Sequence, residues 1–166
     1  MRILAVDDDE TILDLLAEAL RISGYGEMTK AASGKIALDI IANATQPFDC
    51  FLLDIQMPGI DGISLCGMIR DMPDYARTPI LMLTAMSQRE YIERAFAAGA
   101  TDYVTKPFDF LELGARLSVA RKLVEERSLV VESMAAIEGL KRTIKTTPRV
   151  ALADPLEFSG VDRTMG

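Results

Sequence analysis

The sequence predicts an α/β fold: a doubly wound sheet of five parallel strands with helices on both faces. Three observations predict it. Short apolar runs alternate with amphipathic segments along the first 120 residues. Two of the runs, CFLL at Cys50 to Leu53 and PILML at Pro79 to Leu83, are apolar throughout, as strands buried on both faces are. Strict alternation of strand and helix calls for right-handed crossovers, and these make the sheet parallel.

The elements follow in order. Arg2 to Val6 reads as the first strand, and Thr11 to Ser23 as a helix with Ile12, Leu15, Leu16, Ala19 and Leu20 on one face. Gly24 stands where a helix commonly stops. A weak second strand is expected from Tyr25 to Lys30, then a helix from Gly34 to Asn43. Cys50 to Asp54 is the third strand and Ile63 to Asp71 a short helix, followed by a Pro-containing loop. Pro79 to Leu83 is the fourth strand, Ser87 to Ala98 a helix ending at Gly99, and Thr101 to Thr105 the fifth strand. A last helix starts near Asp109.

Composition narrows the function. The 166 residues carry a net charge of −7, placed unevenly: residues 1–120 hold ten Lys/Arg against eighteen Asp/Glu, and residues 121–166 hold eight against seven. An acidic body without a basic cluster argues against a phosphate-backbone footprint, so no direct nucleic-acid contact is expected. There is no histidine. That removes Ser-His-Asp hydrolysis, His-ligated zinc and phosphohistidine donation by this chain. Cys50 and Cys66 have neither metal-ligand nor redox spacing. No secretory signal or membrane-length apolar run is visible, which makes a cytoplasmic protein without a membrane partner the expectation.

In folds of this class ligands gather at the carboxyl ends of the strands. Asp7, Asp8 and Asp9 follow the first strand, Asp54 ends the third, Thr84 follows the fourth and Lys106-Pro107 the fifth. Taken singly, the acid run is a helix cap and Lys-Pro a turn. Together they converge on one edge of the sheet. Two carboxylates at about 4 Å repel by roughly 4 kcal/mol at an effective dielectric of about 20, so such a cluster needs a cation. Magnesium suits these oxygen ligands. The remaining groups then fit phosphoryl transfer: Asp54 as nucleophile, with Lys106 and the Thr84 hydroxyl on phosphoryl oxygens.

The stretches ILAVDDDE, LLDIQMPGIDG, PILMLTA and AGATDYVTKPF, and their spacing over residues 1–120, resemble the receiver domain of two-component response regulators, a CheY-like, flavodoxin-like fold of strand order 2-1-3-4-5. The resemblance implies that Asp54 is the phosphoacceptor and that Mg2+ is held by Asp7, Asp8, Asp54 and the backbone carbonyl of Gln56. It further implies that Lys106 contacts the phosphoryl group, that Thr84 and Tyr103 form the switch, that the Lys106-Pro107 bond is cis, and that Gln56 and Met86 tune hydrolysis. The implied donor is a histidine kinase or a histidine phosphotransfer protein. On this reading the chain is no enzyme toward other substrates and catalyses only its own phosphorylation and dephosphorylation. Two alternatives stand beside it: an interaction module indifferent to phosphorylation, and a magnesium-dependent phosphatase of the aspartyl-phosphate type. The second is disfavoured by Gln56, where that class usually has an acid.

Beyond the domain at 1–120, the helical pattern runs on to about Thr146. Ala120, Leu123, Arg127, Val130, Met134, Ile137, Lys141 and Ile144 follow steps of three and four, so 121–146 is expected to be a helical extension able to form a parallel coiled coil. Homodimerisation is expected through it or through the face of helix 4, strand 5 and helix 5. Residues 147–166, with two prolines, are expected to be irregular.

Overall fold

The computed structural model describes residues 1–85 and 88–146. Met86, Ser87, with it the expected helix start, and the expected irregular end at 147–166 lie outside the described residues.

The order is β1 (Ile3–Val6), α1 (Glu10–Ile22), β2 (Met28–Ala31), α2 (Gly34–Ala42), β3 (Cys50–Asp54), α3 (Gly62–Arg70), a 3-10 turn (Pro73–Tyr75), β4 (Ile80–Thr84), α4 (Arg89–Ala97), β5 (Asp102–Thr105) and α5 (Phe110–Thr146). The strands form one sheet in the order β2-β1-β3-β4-β5, every pairing parallel. This is the expected doubly wound fold with a long C-terminal helix.

The period of two along each strand builds two cores. Leu4, Val6, Phe51, Leu53, Ile80 and Met82 face one side, against Ala37 and Ile41 of α2, Leu65 and Ile69 of α3 and Ala95 of α4. Ile3, Ala5, Cys50, Leu52, Leu81 and Leu83 face the other, against Leu13, Leu16 and Leu20 of α1 and Leu113 and Leu117 of α5. Both central strands, β3 and β4, are buried at every position, which explains their unbroken apolar runs.

Local chemistry sets the helix starts. The side chains of Asp9, Ser33 and Asp61 accept from the amides of Thr11, Ile36 and Ser64 and so cap α1, α2 and α3. The second strand departs from expectation, beginning at Met28 and running to Ala31. Gly24 and Gly26 both adopt φ of +76°, so the chain turns twice before the strand can begin. Tyr25, between them, is buried in the α1 and α5 core with its amide donating to the Leu20 carbonyl at 3.0 Å.

The chain falls into two compact units, Met1–Leu129 and a second that begins at Val130. The first holds the whole sheet and the two cores. The second consists, among the described residues, of the α5 segment up to Thr146, whose residues are all exposed.

Candidate functional site

Asp54 is delivered by the most buried stretch of the molecule. Phe51, Leu52 and Leu53 have no exposed surface, and the ladder continues past the acid, with the Ile55 amide donating to the Leu83 carbonyl at 3.0 Å. The carboxyl end is then clamped from below: the Gly62 amide at the start of α3 donates to the Ile55 carbonyl at 2.9 Å. Asp54 itself is only 5% exposed.

Asp7 comes from the end of β1 and is 1% exposed. Its Oδ1 accepts from the Asp9 amide at 3.0 Å, and its Oδ2 accepts from Lys106 Nζ at 2.6 Å. The same ammonium donates to Asp54 Oδ1 at 3.0 Å. Lys106 stands just past β5, its amide held at 2.7 Å by the Thr84 carbonyl, and the Lys106-Pro107 bond is cis, as the resemblance implied. Asp8 is exposed, yet Asp7, Asp8 and Asp54 each present a carboxylate oxygen within 4.8 Å of the others.

The electrostatics follow from this crowding. Burial holds the Asp54 carboxyl above the usual carboxylate range; the Lys106 ammonium pulls it down, and the charges of Asp7 and Asp8 push it up again. Burial also disfavours the Lys106 charge, but hydrogen bonds to Asp7 and Asp54 outweigh it and leave the ammonium harder to deprotonate than usual. One ammonium faces three carboxylates, so an ionised cluster keeps an excess of negative charge. The donor set is all hard oxygen with one solvent-facing member, which fits a small divalent cation retaining part of its water shell.

Thr84 is the last residue of β4, in register with Thr105, and is 1% exposed. Asp54 pairs with Leu83, so Thr84 lies one residue further along the same sheet edge. Gln56 is exposed and lines a cleft with Tyr91 and Arg94 of α4. Met86 falls outside the described residues. Tyr103 has surroundings of its own: its half-buried ring meets Phe96 edge-on at 6.1 Å between centroids, and the Arg116 guanidinium lies 5.8 Å from the ring centre while pairing with Asp102 at 2.7 Å. The structure therefore brings Asp7, Asp8, Asp54 and Lys106 into one crevice with Thr84 on its edge. Phe96 and Arg116 were not legible as neighbours of Tyr103. The only sequence signal was the four-residue spacing of Glu112 and Arg116, which points along the helix and says nothing of the strand beside it.

A five-stranded doubly wound sheet with an acidic crevice and one lysine at the carboxyl edge defines a class of protein, and comparison with known proteins agrees with it. The model of the response regulator receiver domain family matches residues 3–118. The chain belongs to that family. It is 38% identical to the transcriptional regulatory protein YrkP of Bacillus subtilis, over 95% of this chain and 68% of that protein. It is 40% identical to the DNA-binding dual master transcriptional regulator RpaA of Synechocystis, over 70% of this chain and 47% of that one. Among solved structures it is similar to the chemotaxis protein CheY4 of Vibrio cholerae, with a TM-score of 0.67 and 34% identity over 72% of this chain and 97% of that chain. The chain spans about half the length of several of the curated relatives it matches.

These relatives correct one expectation. The acidic charge balance led to the exclusion of direct nucleic-acid contact, whereas the related regulators are transcriptional and one is DNA-binding by name. Net charge misled because charge acts locally: the overall balance of a chain does not report where a nucleic-acid contact lies. Among the described residues no helix is long and apolar enough to cross a membrane.

Proposed function

We propose that this receiver takes a phosphoryl group onto Asp54 from the phosphohistidine of a partner histidine kinase or histidine phosphotransfer protein, in the cytoplasm, and that formation of the acyl phosphate at Asp54 switches its protein contacts in the control of transcription. The observation that carries the reading is the convergence of Asp7, Asp8, Asp54 and Lys106 at the end of three strands.

In the step itself, one Asp54 carboxylate oxygen forms a bond to phosphorus as the phosphorus–nitrogen bond of the donor breaks, and the imidazole leaves with the electron pair. Asp54 is held rigidly for in-line attack by the buried strand behind it. Lys106, which bridges Asp7 and Asp54 beforehand, moves its ammonium onto a phosphoryl oxygen as negative charge accumulates there. The Thr84 hydroxyl takes a second oxygen, and Tyr103 follows it as the switch aromatic. Asp7, Asp8, Asp54 and the Gln56 carbonyl would hold Mg2+, which when bound would neutralise charge on the phosphoryl oxygens. Gln56, exposed beside the acid, governs the water that later hydrolyses the acyl phosphate.

The test is incubation with Mg2+ and a small phosphodonor such as acetyl phosphate, followed by intact-mass measurement. One labile phosphoryl group should appear, and Asp54→Asn should abolish it. An unmodified wild-type chain in saturating Mg2+ overturns the reading.

A further inference from the structure

In the second unit, taken by itself, Val130, Met134, Ile137 and Ile144 are 57%, 66%, 55% and 67% exposed. Every described residue from Val130 to Thr146 is exposed. Propensity alone stabilises an exposed helical segment weakly, least of all with β-branched residues, and such a segment is normally held by a packed face.

The spacing says what kind of surface fits. From Val130 to Ile144 the stripe advances by four, three, four and three residues through Met134, Ile137 and Lys141, and the sequence before it places Leu123 and Arg127 at the same steps. That is a 3.5-residue period, which drifts off a straight helix and stays in contact along its length only with another helix in a left-handed supercoil.

The chain's own copy fits this seam best when parallel and in register. Leu123, Val130, Ile137 and Ile144 then each meet themselves, as does Met134, giving apolar layers. The cations are confined to the layers of Arg127 and Lys141, whose alkyl stems cover the seam while their charged ends reach water. Arg127 also gains an opposite charge, because Glu126 precedes it at the flanking position of the facing helix. An antiparallel pairing centred on Met134 and Ile137 instead sets each Arg127 and Lys141 against Ile144 or Val130, which doubles the number of layers holding a cation. The ion pair of Glu138 with Arg142 at 4.0 Å is local to one helix and does not involve the stripe.

We propose that the helical extension is a parallel two-stranded coiled coil joining two copies of this chain. The proposal goes beyond the chemistry at Asp54 and needs no phosphodonor for its test, so either reading can fail without the other. Light scattering on the full chain should give twice the 18.2 kDa of one copy, and Ile137→Asp should weaken association roughly tenfold or more, as expected for one buried aliphatic side chain. Orientation is read by cysteine crosslinking. Ile137→Cys, at a seam position, should give a covalent dimer when diamide takes up the two thiol hydrogens, whereas Glu132→Cys, on the outer face, should not. The native Cys50 and Cys66 are buried and supply the background measured on wild type. A monomeric mass overturns the proposal. Equal crosslinking at positions 132 and 137, or none at 137, overturns the parallel seam.

Discussion

A methyl group on Gly62 would lie 1.9 Å from the backbone carbonyl oxygen of Asp54. The first residue of α3 therefore packs directly under the backbone of Asp54, the proposed phosphoacceptor, and only a residue without Cβ permits it. Gly62→Ala must push α3 away from β3 or move Asp54. We expect a loss of roughly 1–3 kcal/mol in urea unfolding, typical of an overpacked site, together with slower phosphorylation. Gly34→Ala meets the side chain of Ile60 at 2.8 Å as its nearest contact, and should disturb phosphorylation less because the contact is in the β3–α3 loop and not at Asp54. Equal phosphorylation rates for Gly62→Ala and wild type would remove this positioning role.

Lys106→Met tests what holds the acids together before any phosphoryl group arrives. The substitution keeps the stem and deletes the charge, leaving Asp7 and Asp54 buried without their shared cation. Breaking a buried pair in this way costs about 3–5 kcal/mol. In a chelator at neutral pH the variant should be destabilised on that order, and it should recover as the pH falls and the unpaired carboxylates take up protons. Stability that is independent of pH in this variant would contradict the assignment.

Asp54→Asn should stabilise the metal-free protein. The sign follows from the raised folded-state pKa, whose largest cause is burial. A carboxyl so shifted contributes stability that is present below the ordinary carboxylate range and is lost as pH rises through the raised value. At neutral pH the ionised Asp54 is therefore a net burden, as functional groups often are, and replacing it should gain on the order of 1 kcal/mol. The gain should shrink toward zero as the pH drops to the ordinary carboxylate pKa. Thermal melts of both proteins across that window in a chelator make the comparison.

Cys50 offers a check on the core. It sits in the β3 run with no exposed surface, and burial pushes its thiol up to about 12. Its thiolate is then scarce at pH 8, and alkylation must wait for unfolding. Iodoacetamide should label it only in denaturant; rapid labelling of the native chain would show that β3 opens locally.

Most of this arrangement was legible because it rests on short-range rules. The apolar runs at Cys50 and Pro79 gave the central strands, and acids and a lysine at strand ends gave the crevice, since a parallel sheet brings those ends to one edge. What escaped was decided by contacts distant in sequence. Tyr25 left the second strand because burial against α1 and α5 outweighed the strand pattern, and the pairing of Arg116 with Asp102 depends on α5 lying beside β5. The nucleic-acid inference escaped for another reason, since it drew on net charge where only the local arrangement of charge decides binding.

Withdrawal of the metal supplies the last test. With one lysine among three carboxylates, the empty cluster is self-repelling, and a divalent cation that binds the folded state alone must stabilise it. At a free Mg2+ concentration about tenfold above its dissociation constant the gain is roughly 1.4 kcal/mol. It should appear as a rise in melting temperature that a chelator reverses. Asp8→Asn, changing the exposed acid, should reduce the rise while lifting the metal-free melting temperature slightly, because the charge it removes repels Asp54 across a solvated gap. Asp7→Asn should reduce the rise as well, and should also shift the metal-free melt, because Asp7 is buried against Lys106 at 2.6 Å. A wild-type melt that ignores Mg2+ would exclude these three acids as its site.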